Sequence, residues 1–366
     1  MSDTAYLILE NGNVFQGKFF GARSDITGEI VFTTGMTGYL ETLTDQGYYG
    51  QIVLQTFPLI GNYGIIPSDF ESTGIGAKAY IVKYPCQNPS NFRSENSLDV
   101  FLKEKGVTGL YGIDTRALSK IIRDNGVMNG KITSAAPTEK DRDEAKAYKF
   151  SGAVAAVSAR STTKTSSGSL RIALMDFGAK RSIAEAFVSR GCEVRIFPHD
   201  TPAQEILKSK PDGVVLSNGP GDPADPANKH IIETISALDK SGITMFGICL
   251  GHQLLALAKG YSTRRMKLGH RGANLPVKDL STGQVYITGQ NQGYEVVARE
   301  ALLHVADNSR QLAGGFINVN DGTNEGLDYG NSFSVQFHPG ASGGPLDTGF
   351  IFDRFLERVK GGKRAS

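Results

Sequence analysis

Apolar and polar positions along this chain change rhythm twice, and the changes divide it. In roughly the first 145 residues, short apolar runs come first and helical patterns follow. Residues 5–9 and 14–15 are strand-like and flank Asn11-Gly12, a pair suited to the positive-φ positions of a tight hairpin turn. Further strands are predicted at 29–32, 51–56 and 79–82. Helical periodicity appears at 97–105 and 115–123, the second with Asp114 as N-cap and Asn125-Gly126 as stop. From Ser151 to Ser169 the residues become small and polar, so this stretch can bury little apolar area and reads as a linker. From Leu170 onward, strands at 172–175, 192–197, 213–216 and 243–248 alternate with helices at 181–189, 203–209 and 227–238. The predicted fold class is α/β. A mixed β/α domain over 1–150 precedes the linker at 151–169, and a doubly wound, mostly parallel sheet fills 170–366. Ligands of such sheets bind at the carboxyl ends of the strands.

One strand end carries distinctive chemistry. The apolar run Ile243–Ile248 meets a helix-forming run at Leu250, with Cys249 at the junction and Gly247 and Gly251 two residues to either side. That spacing matches a strand-turn-helix elbow, which lifts a nucleophile above a parallel sheet. The glycines let backbone pass close by, and a thiol at a helix N-terminus is favoured as thiolate. A lone cysteine is more often a small buried hydrophobe, but the paired glycines at this junction favour a nucleophile. A second strand end, Leu216-Ser-Asn-Gly-Pro-Gly-Asp222, turns tightly through Gly219 and Gly221. Gly-Pro-Gly is an ordinary loop signal. Beside the elbow strand, its N–H groups and that of Leu250 suit an oxyanion.

Composition mainly removes alternatives. A chain of 366 residues with 40% hydrophobic and 21% charged content is an ordinary globular protein of two or more domains. A formal charge of +2 gives no reason to expect nucleic acid or an acidic membrane as partner. The first residues show no basic segment followed by an apolar core, and no apolar run reaches the ~18 residues that span a bilayer. Cys86, Cys192 and Cys249 lie far apart without paired spacing, so free thiols in a reducing cytoplasmic location are expected. No His/Cys cluster has zinc spacing, and no metal is predicted.

A thiolate nucleophile needs a base that can return a proton to a leaving amine. His338, in Phe333-Ser-Val-Gln-Phe-His-Pro339 at the end of a strand-like run, is the best candidate among six histidines. His199, His230 and His304 sit in unremarkable surroundings. His252, three residues past Cys249, points along the helix into packing, and His270 belongs to a loop of uncertain role.

Taken together, Phe246-Gly-Ile-Cys249-Leu-Gly-His-Gln253, Ser217-Asn-Gly-Pro-Gly-Asp222 and Phe337-His-Pro339 resemble a class I (triad-type) glutamine amidotransferase domain. Thr37-Gly-Tyr-Leu-Glu41, Ser90-Asn-Phe-Arg93, Gly112-Ile-Asp-Thr-Arg116 and Asp176-Phe-Gly-Ala-Lys180 narrow the resemblance to the small, glutaminase subunit family of carbamoyl-phosphate synthase. The resemblance spans nearly the whole chain. It implies a heterodimer with a large subunit, which the first domain contacts and which uses ATP and Mg. Glutamine is hydrolysed in the small chain, and ammonia is channelled onward to make carbamoyl phosphate for arginine and pyrimidine biosynthesis. It further implies Cys249 as nucleophile, His338 as acid and base, and Gly47, Gly219, Gly221, Leu250, Gln253, Asn291, Gly293 and Tyr294 around the glutamine. This chain has no Gly-x-x-x-x-Gly-Lys-Ser/Thr loop, so the ATP requirement falls to the partner, and no cofactor is expected here.

The chain departs from the family's pattern at the third triad position. Where the pattern reads His-Pro-Glu, this sequence reads His338-Pro339-Gly340, and glycine cannot orient an imidazole. Gln292 replaces a common His, Gly47 a common Ser, and Leu275 the His of Asn-His-Pro. An active glutaminase is favoured because the elbow, the Gly-Pro-Gly turn and His338 remain. The alternative is a degenerate glutaminase serving mainly as a structural or regulatory partner of an ammonia-using synthetase.

Overall fold

A computed structural model describes residues 3–165, 167–297, 315–340 and 343–365. The chain divides into two compact units, Met1–Phe150 and Ser151–Ser366.

In the first unit the predicted strands close into a seven-stranded barrel. Its members are β1 (Thr4–Leu9), β2 (Val14–Gly21), β3 (Ile26–Thr33), β4 (Gln51–Gln55), β5 (Ala79–Val82), β6 (Thr108–Tyr111) and β7 (Met128–Thr133), ordered β1-β2-β6-β5-β4-β3-β7. Central strands such as β5 are apolar throughout and wholly buried, as strands covered on both faces must be. Helix α1 (Leu98–Glu104) buries Leu98, Phe101 and Leu102 in the core cluster that also holds Val31, Val53 and Tyr80. Helix α2 (Thr115–Asn125) starts where Asp114 accepts the Ala117 N–H at 2.9 Å and stops at Gly126 with φ 97°. The β1–β2 turn is longer than its sequence suggests. Only Gly12 has positive φ (91°), and the Asn11 side chain instead accepts the Asn13 N–H at 3.1 Å. That side-chain-closed turn replaces the expected two-residue one.

The second unit holds a ten-stranded sheet. Its strands are β8 (Thr163–Lys164), β9 (Leu170–Asp176), β10 (Cys192–Pro198), β11 (Gly213–Leu216), β12 (Met245–Ile248), β13 (Ser262–Asp279), β14 (Val285–Val297), β15 (Phe316–Asn318), β16 (Asn324–Asp328) and β17 (Phe333–Val335). They are ordered β8-β10-β9-β11-β12-β17-β16-β15-β13-β14. The block β10-β9-β11-β12-β17 is parallel, as the strand–helix alternation predicts, and β13 to β16 add an antiparallel extension that sequence reading did not anticipate. Phe187, Phe246, Phe333, Phe352 and Phe355 pack together in the core on one face, mostly edge to face. Helices α3 (Lys229–Lys240) and α4 (Leu250–Ala258) pack Ile231, Ile235, Leu254 and Leu255 on the other.

The stretch expected to be a linker is folded. Residues Ala153–Val157 form a helical turn whose Val154 is 1% exposed within the second unit's core, and β8 pairs antiparallel with β10. Asp225 fixes its start by accepting the Ser151 hydroxyl at 2.8 Å and the Gly152 N–H at 3.0 Å. One buried valine contributes about 1.5–3 kcal/mol, which the small, polar look of the segment hid.

Candidate active site

The elbow follows from where β12 sits. Met245–Ile248 are buried and pair in parallel with β11 and β17, so the chain must reverse sharply to start α4 on the sheet's face. Cys249 makes that reversal with φ 55° and ψ −107°. Among the described non-glycine residues only Lys210 shares a positive φ. Such a conformation costs on the order of 1–3 kcal/mol and survives only where the surroundings enforce it. Here they do: the Cys249 N–H donates to the Val335 carbonyl at 2.9 Å, and the Gly251 N–H donates to the Ser217 carbonyl at 3.0 Å. Both flanking glycines are demanded by contact with backbone. A β-carbon on Gly247 would lie 2.6 Å from the Gly251 oxygen, and one on Gly251 would overlap the Leu216 carbonyl oxygen. Cys249 is 3% exposed at the N-terminal end of α4, with its Sγ 3.6 Å from the Asn291 carbonyl oxygen.

His338 lies three residues past β17, the strand parallel to β12, with Ile248 opposite Val335. Its backbone N–H donates to the Gly289 carbonyl at 2.9 Å, and it is 5% exposed. Phe337, fully buried in the core, anchors the approach. The loop after β11 is stitched to the loop after β9. Ser217 Oγ accepts the Phe177 N–H at 2.9 Å, while Asn218 accepts from Lys180 N–H at 3.0 Å and donates to the Gly178 carbonyl at 3.1 Å. Asp176 closes that partner loop by accepting the Gly178 and Ala179 N–H groups. Gly219 fits because a β-carbon there would meet the Phe177 carbonyl carbon and Leu250 Cδ2, each at 2.9 Å. Gly221 has φ 93°.

Thus Cys249, Leu250, Gly219, Gly221, His338 and the β14 residues Asn291, Gly293 and Tyr294 belong to one unit, on or next to the carboxyl ends of β11, β12 and β17. Gly47 belongs to the first unit, where its N–H is accepted by Asp45 at 2.8 Å. Gln253 is 3% exposed and its amide donates to the Tyr294 carbonyl at 2.8 Å and to Gln336 Oε1 at 2.9 Å, so both its hydrogens tie α4 to neighbouring strands. His252 is fully buried, with Nδ1 2.8 Å from Ser334 Oγ, and burial pulls its pKa down to about 3. It is a neutral packing residue. His230 is exposed, His199 is half-buried, and His304 lies outside the described residues.

The sequence reading misplaced His270. It sits in β13 rather than a loop, opposite Gln292 of β14, among Asp321, Glu325 and Asn318. Glu325 and Asp321 lie in Asn318-Val-Asn-Asp-Gly-Thr-Asn-Glu325, where no motif marks them; only their convergence in the antiparallel extension does. Among the described residues no group of three or more His, Cys, Asp or Glu is arranged to hold a metal ion. No helix among them is long and apolar enough to cross a membrane.

Comparison with known proteins agrees with this architecture. Residues 7–132 match the model of the carbamoyl-phosphate synthase small chain, CPSase domain, and residues 173–358 match that of glutamine amidotransferase class-I. The carbamoyl phosphate synthase small chain of Clostridium perfringens is 47% identical over 96% of this chain and 99% of its own length. Those of Fusobacterium nucleatum and Bacillus caldolyticus are 45% and 46% identical, each aligned over at least 96% of both chains. With two matched domains in this order and relatives aligned end to end, the chain belongs to the carbamoyl-phosphate synthase small chain family.

Proposed function

We propose that this chain is the glutamine-hydrolysing subunit of a carbamoyl-phosphate synthase, with Cys249 as nucleophile and His338 as its proton carrier. The observation that carries this reading is the strained elbow. A cysteine held at φ 55° by two backbone hydrogen-bond anchors and two obligatory glycines supports a reactive role, since a cysteine serving only to pack needs no such strain. The thiolate adds to the side-chain carbonyl carbon of glutamine. The resulting oxyanion is held by N–H groups of the kind offered by Leu250 and the Gly219–Gly221 turn. As the C–N bond breaks, the His338 imidazolium protonates the leaving nitrogen and ammonia departs, leaving a glutamyl thioester. The imidazole then takes a proton from water as it attacks, the C–S bond breaks, and glutamate and the thiol are regenerated. Asn291, Gly293 and Tyr294 surround the glutamine. Gln253 supports them, since its amide hydrogens are committed to Tyr294 and Gln336. Gly47, in the first unit, is assigned to the glutamine by the family resemblance alone.

The same reading assigns ATP and Mg to a large partner subunit in the cytoplasm, which receives the ammonia and forms carbamoyl phosphate. No cofactor is assigned to this chain. Membership of the family and the name of its small chains support a two-subunit enzyme. Boundaries at 1–150 for partner contact and 170–366 for glutamine hydrolysis accompany it.

A second reading has one observation in its favour. Gly340 stands where an orienting carboxylate belongs, so the chain could act as a structural or regulatory partner of a synthetase fed by free ammonia. The test is carbamoyl phosphate synthesis by the assembled enzyme with glutamine or with ammonia as nitrogen donor. The first reading expects both donors to work in the wild type, and Cys249→Ala and Cys249→Ser to abolish only the glutamine route. A wild-type complex that uses ammonia alone establishes the second.

A further inference from the structure

The β14 segment 289–292 has two different sides. Its backbone faces the reactive pair: the Gly289 carbonyl accepts the His338 N–H at 2.9 Å, and the Asn291 carbonyl lies 3.6 Å from Cys249 Sγ. The alternate side chains, Gln290 and Gln292, are buried elsewhere. Gln292 Nε2 donates to Gln290 Oε1 at 2.8 Å and lies 3.3 Å from His270 Nδ1, while Gln290 donates to Thr288 Oγ1 at 3.0 Å. The His270 ring is gripped by two carboxylates, with Nδ1 3.3 Å from Glu325 Oε1 and Nε2 2.8 Å from Asp321 Oδ2.

Glu325 is the unusual member. It is 0% exposed, Asn318 donates to its Oε1 at 3.0 Å, and its Oε2 has no hydrogen-bond partner among the described residues. Its backbone carbonyl accepts the N–H of Gln336 at 2.8 Å, and Gln336 Oε1 in turn accepts from Gln253 on α4, the helix that begins beside Cys249. The cluster therefore reaches the reactive residues twice, once through β14 and once through Gln336. A carboxyl group this deep is expensive to ionise without a cation against it. Burial pushes the Glu325 pKa up, and the His270 ring only partly offsets it. For His270 burial works downward, but Glu325 and Asp321 outweigh it, so its pKa is raised. Among the described residues these two acids, from β16 and the turn before it, are the titratable groups against the ring; β14 presents Gln292 and β15 presents Asn318.

We propose that the buried His270–Glu325 pair is a positioning element for glutamine hydrolysis, fixing strand segment 289–292 and Gln336 and so the placement of Cys249 and His338. It rests on the reading of those two residues as the reactive pair. Neither His270 nor Glu325 touches glutamine; both act through β14 and Gln336. In a chain whose position 340 offers no carboxylate, the backbone hold on His338 matters more, because the Gly289 carbonyl is one of its anchors.

The test uses the assembled two-subunit enzyme carrying Glu325→Gln, His270→Gln or both, with Cys249→Ala alongside. Glutamine-dependent and ammonia-dependent synthesis are measured from roughly pH 6 to pH 9, a range that spans histidine titration. Misplacement of a reacting group by about 1 Å costs on the order of 100-fold, so each single variant is expected to lose at least ~10-fold in glutamine kcat. The KM for glutamine should stay within about twofold, with ammonia use unchanged. The gap between wild type and Glu325→Gln should narrow as pH rises, because His270 loses the proton that holds the pair. Should a single variant be insoluble, the double variant decides, since it leaves no unpaired buried charge. Folded variants with wild-type kcat and wild-type pH profile overturn the proposal, as does a rise in KM alone or equal loss of both nitrogen routes. Glutamine use surviving in Cys249→Ala would instead overturn the reading beneath it, a distinguishable result.

Discussion

The most direct challenge to the elbow is Gly251→Ala. This change adds one methyl group and removes no reactive atom. At Gly251 an added β-carbon would overlap the Leu216 carbonyl oxygen and lie 2.6 Å from its carbonyl carbon and 2.8 Å from its β-carbon. None of these is the end of a flexible side chain: Leu216 is the last residue of a central strand, hydrogen-bonded into the sheet and fully buried. Strand and helix must therefore part, and the Gly251 N–H to Ser217 carbonyl bond at 3.0 Å lies directly between them. Overpacking of this kind costs about 1–3 kcal/mol. Loss of a buried backbone hydrogen bond adds about 1 kcal/mol. A fold of ordinary stability, about 5–15 kcal/mol, survives that sum. The site should fare worse, because Cys249 is two residues away and a shift of about 1 Å costs on the order of 100-fold in rate. The assay pairs a thermal melt with glutamine-dependent and ammonia-dependent synthesis by the assembled enzyme. The expected variant is folded, uses ammonia normally and is at least ~100-fold slower with glutamine. A folded Gly251→Ala with wild-type glutamine turnover would refute the claim that close backbone approach sets the position of the thiol.

Gly340→Glu should raise glutamine kcat, by anything up to about 10⁴-fold, the span an orienting acid can supply. The site admits it: a β-carbon there makes ordinary 3.5 Å contact with the Phe352 ring, and no positive φ opposes a side chain. A large loss of rate would show that another group already does this job. His252 has its pKa pulled from 6.5 to about 3 by burial, so the unfolded chain binds a proton that the folded chain refuses. Stability must fall as pH drops below about 6.5, by about 2 kcal/mol at pH 5, and His252→Gln should abolish that limb in pH-dependent denaturant melts. Asp328 is held low by Arg358, Arg354 and the Gly330 N–H despite burial, so its contribution is present at neutral pH and lost below the ordinary carboxylate range. Asp328→Asn should cost on the order of 2 kcal/mol at pH 7 and little in strong acid, read from the same melts.

The parallel part of the second unit was legible because each strand there is a local apolar run ended by turn chemistry. The elbow was legible because sterics force its glycines to fixed positions around Cys249. The antiparallel extension was not. Residues 262–279 carry Arg264, Arg265, Lys267 and His270 among few apolar positions, and they form a strand by pairing with 285–297 across two register shifts. That pairing is long-range and leaves no period-2 signature. The Ser151–Ser169 stretch failed for a related reason: Val154 is its one residue in the core cluster, its other anchors are long-range hydrogen bonds to Asp225 and Asp176, and composition averages a single valine away. The family resemblance puts Gln253 around the glutamine; that its amide hydrogens are spent on Tyr294 and Gln336 has no sign in the sequence, because both partners lie far along the chain.

The departures from the family pattern are not scattered through the second unit. Gln292 is buried against His270 and Gln290, Leu275 pairs with Thr288 through its carbonyl at 2.8 Å, and Gly340 lies two residues beyond His338. Gln292 and Thr288 belong to β14, the strand whose carbonyls contact both His338 and Cys249. A loss of selection for hydrolysis would leave the elbow as free to change as its surroundings. Instead Gly247, Cys249, Gly251 and Gly219 all keep geometries that tolerate no β-carbon or demand a strained φ, while the substitutions in this unit fall on Gln292 of the supporting strand, on Leu275 of β13 bonded to it, and on the orienting position. Strain of about 1–3 kcal/mol at Cys249 is a standing cost that a purely structural partner would gain by relieving. Its retention beside a rebuilt support favours hydrolysis carried out with a different means of holding the imidazole.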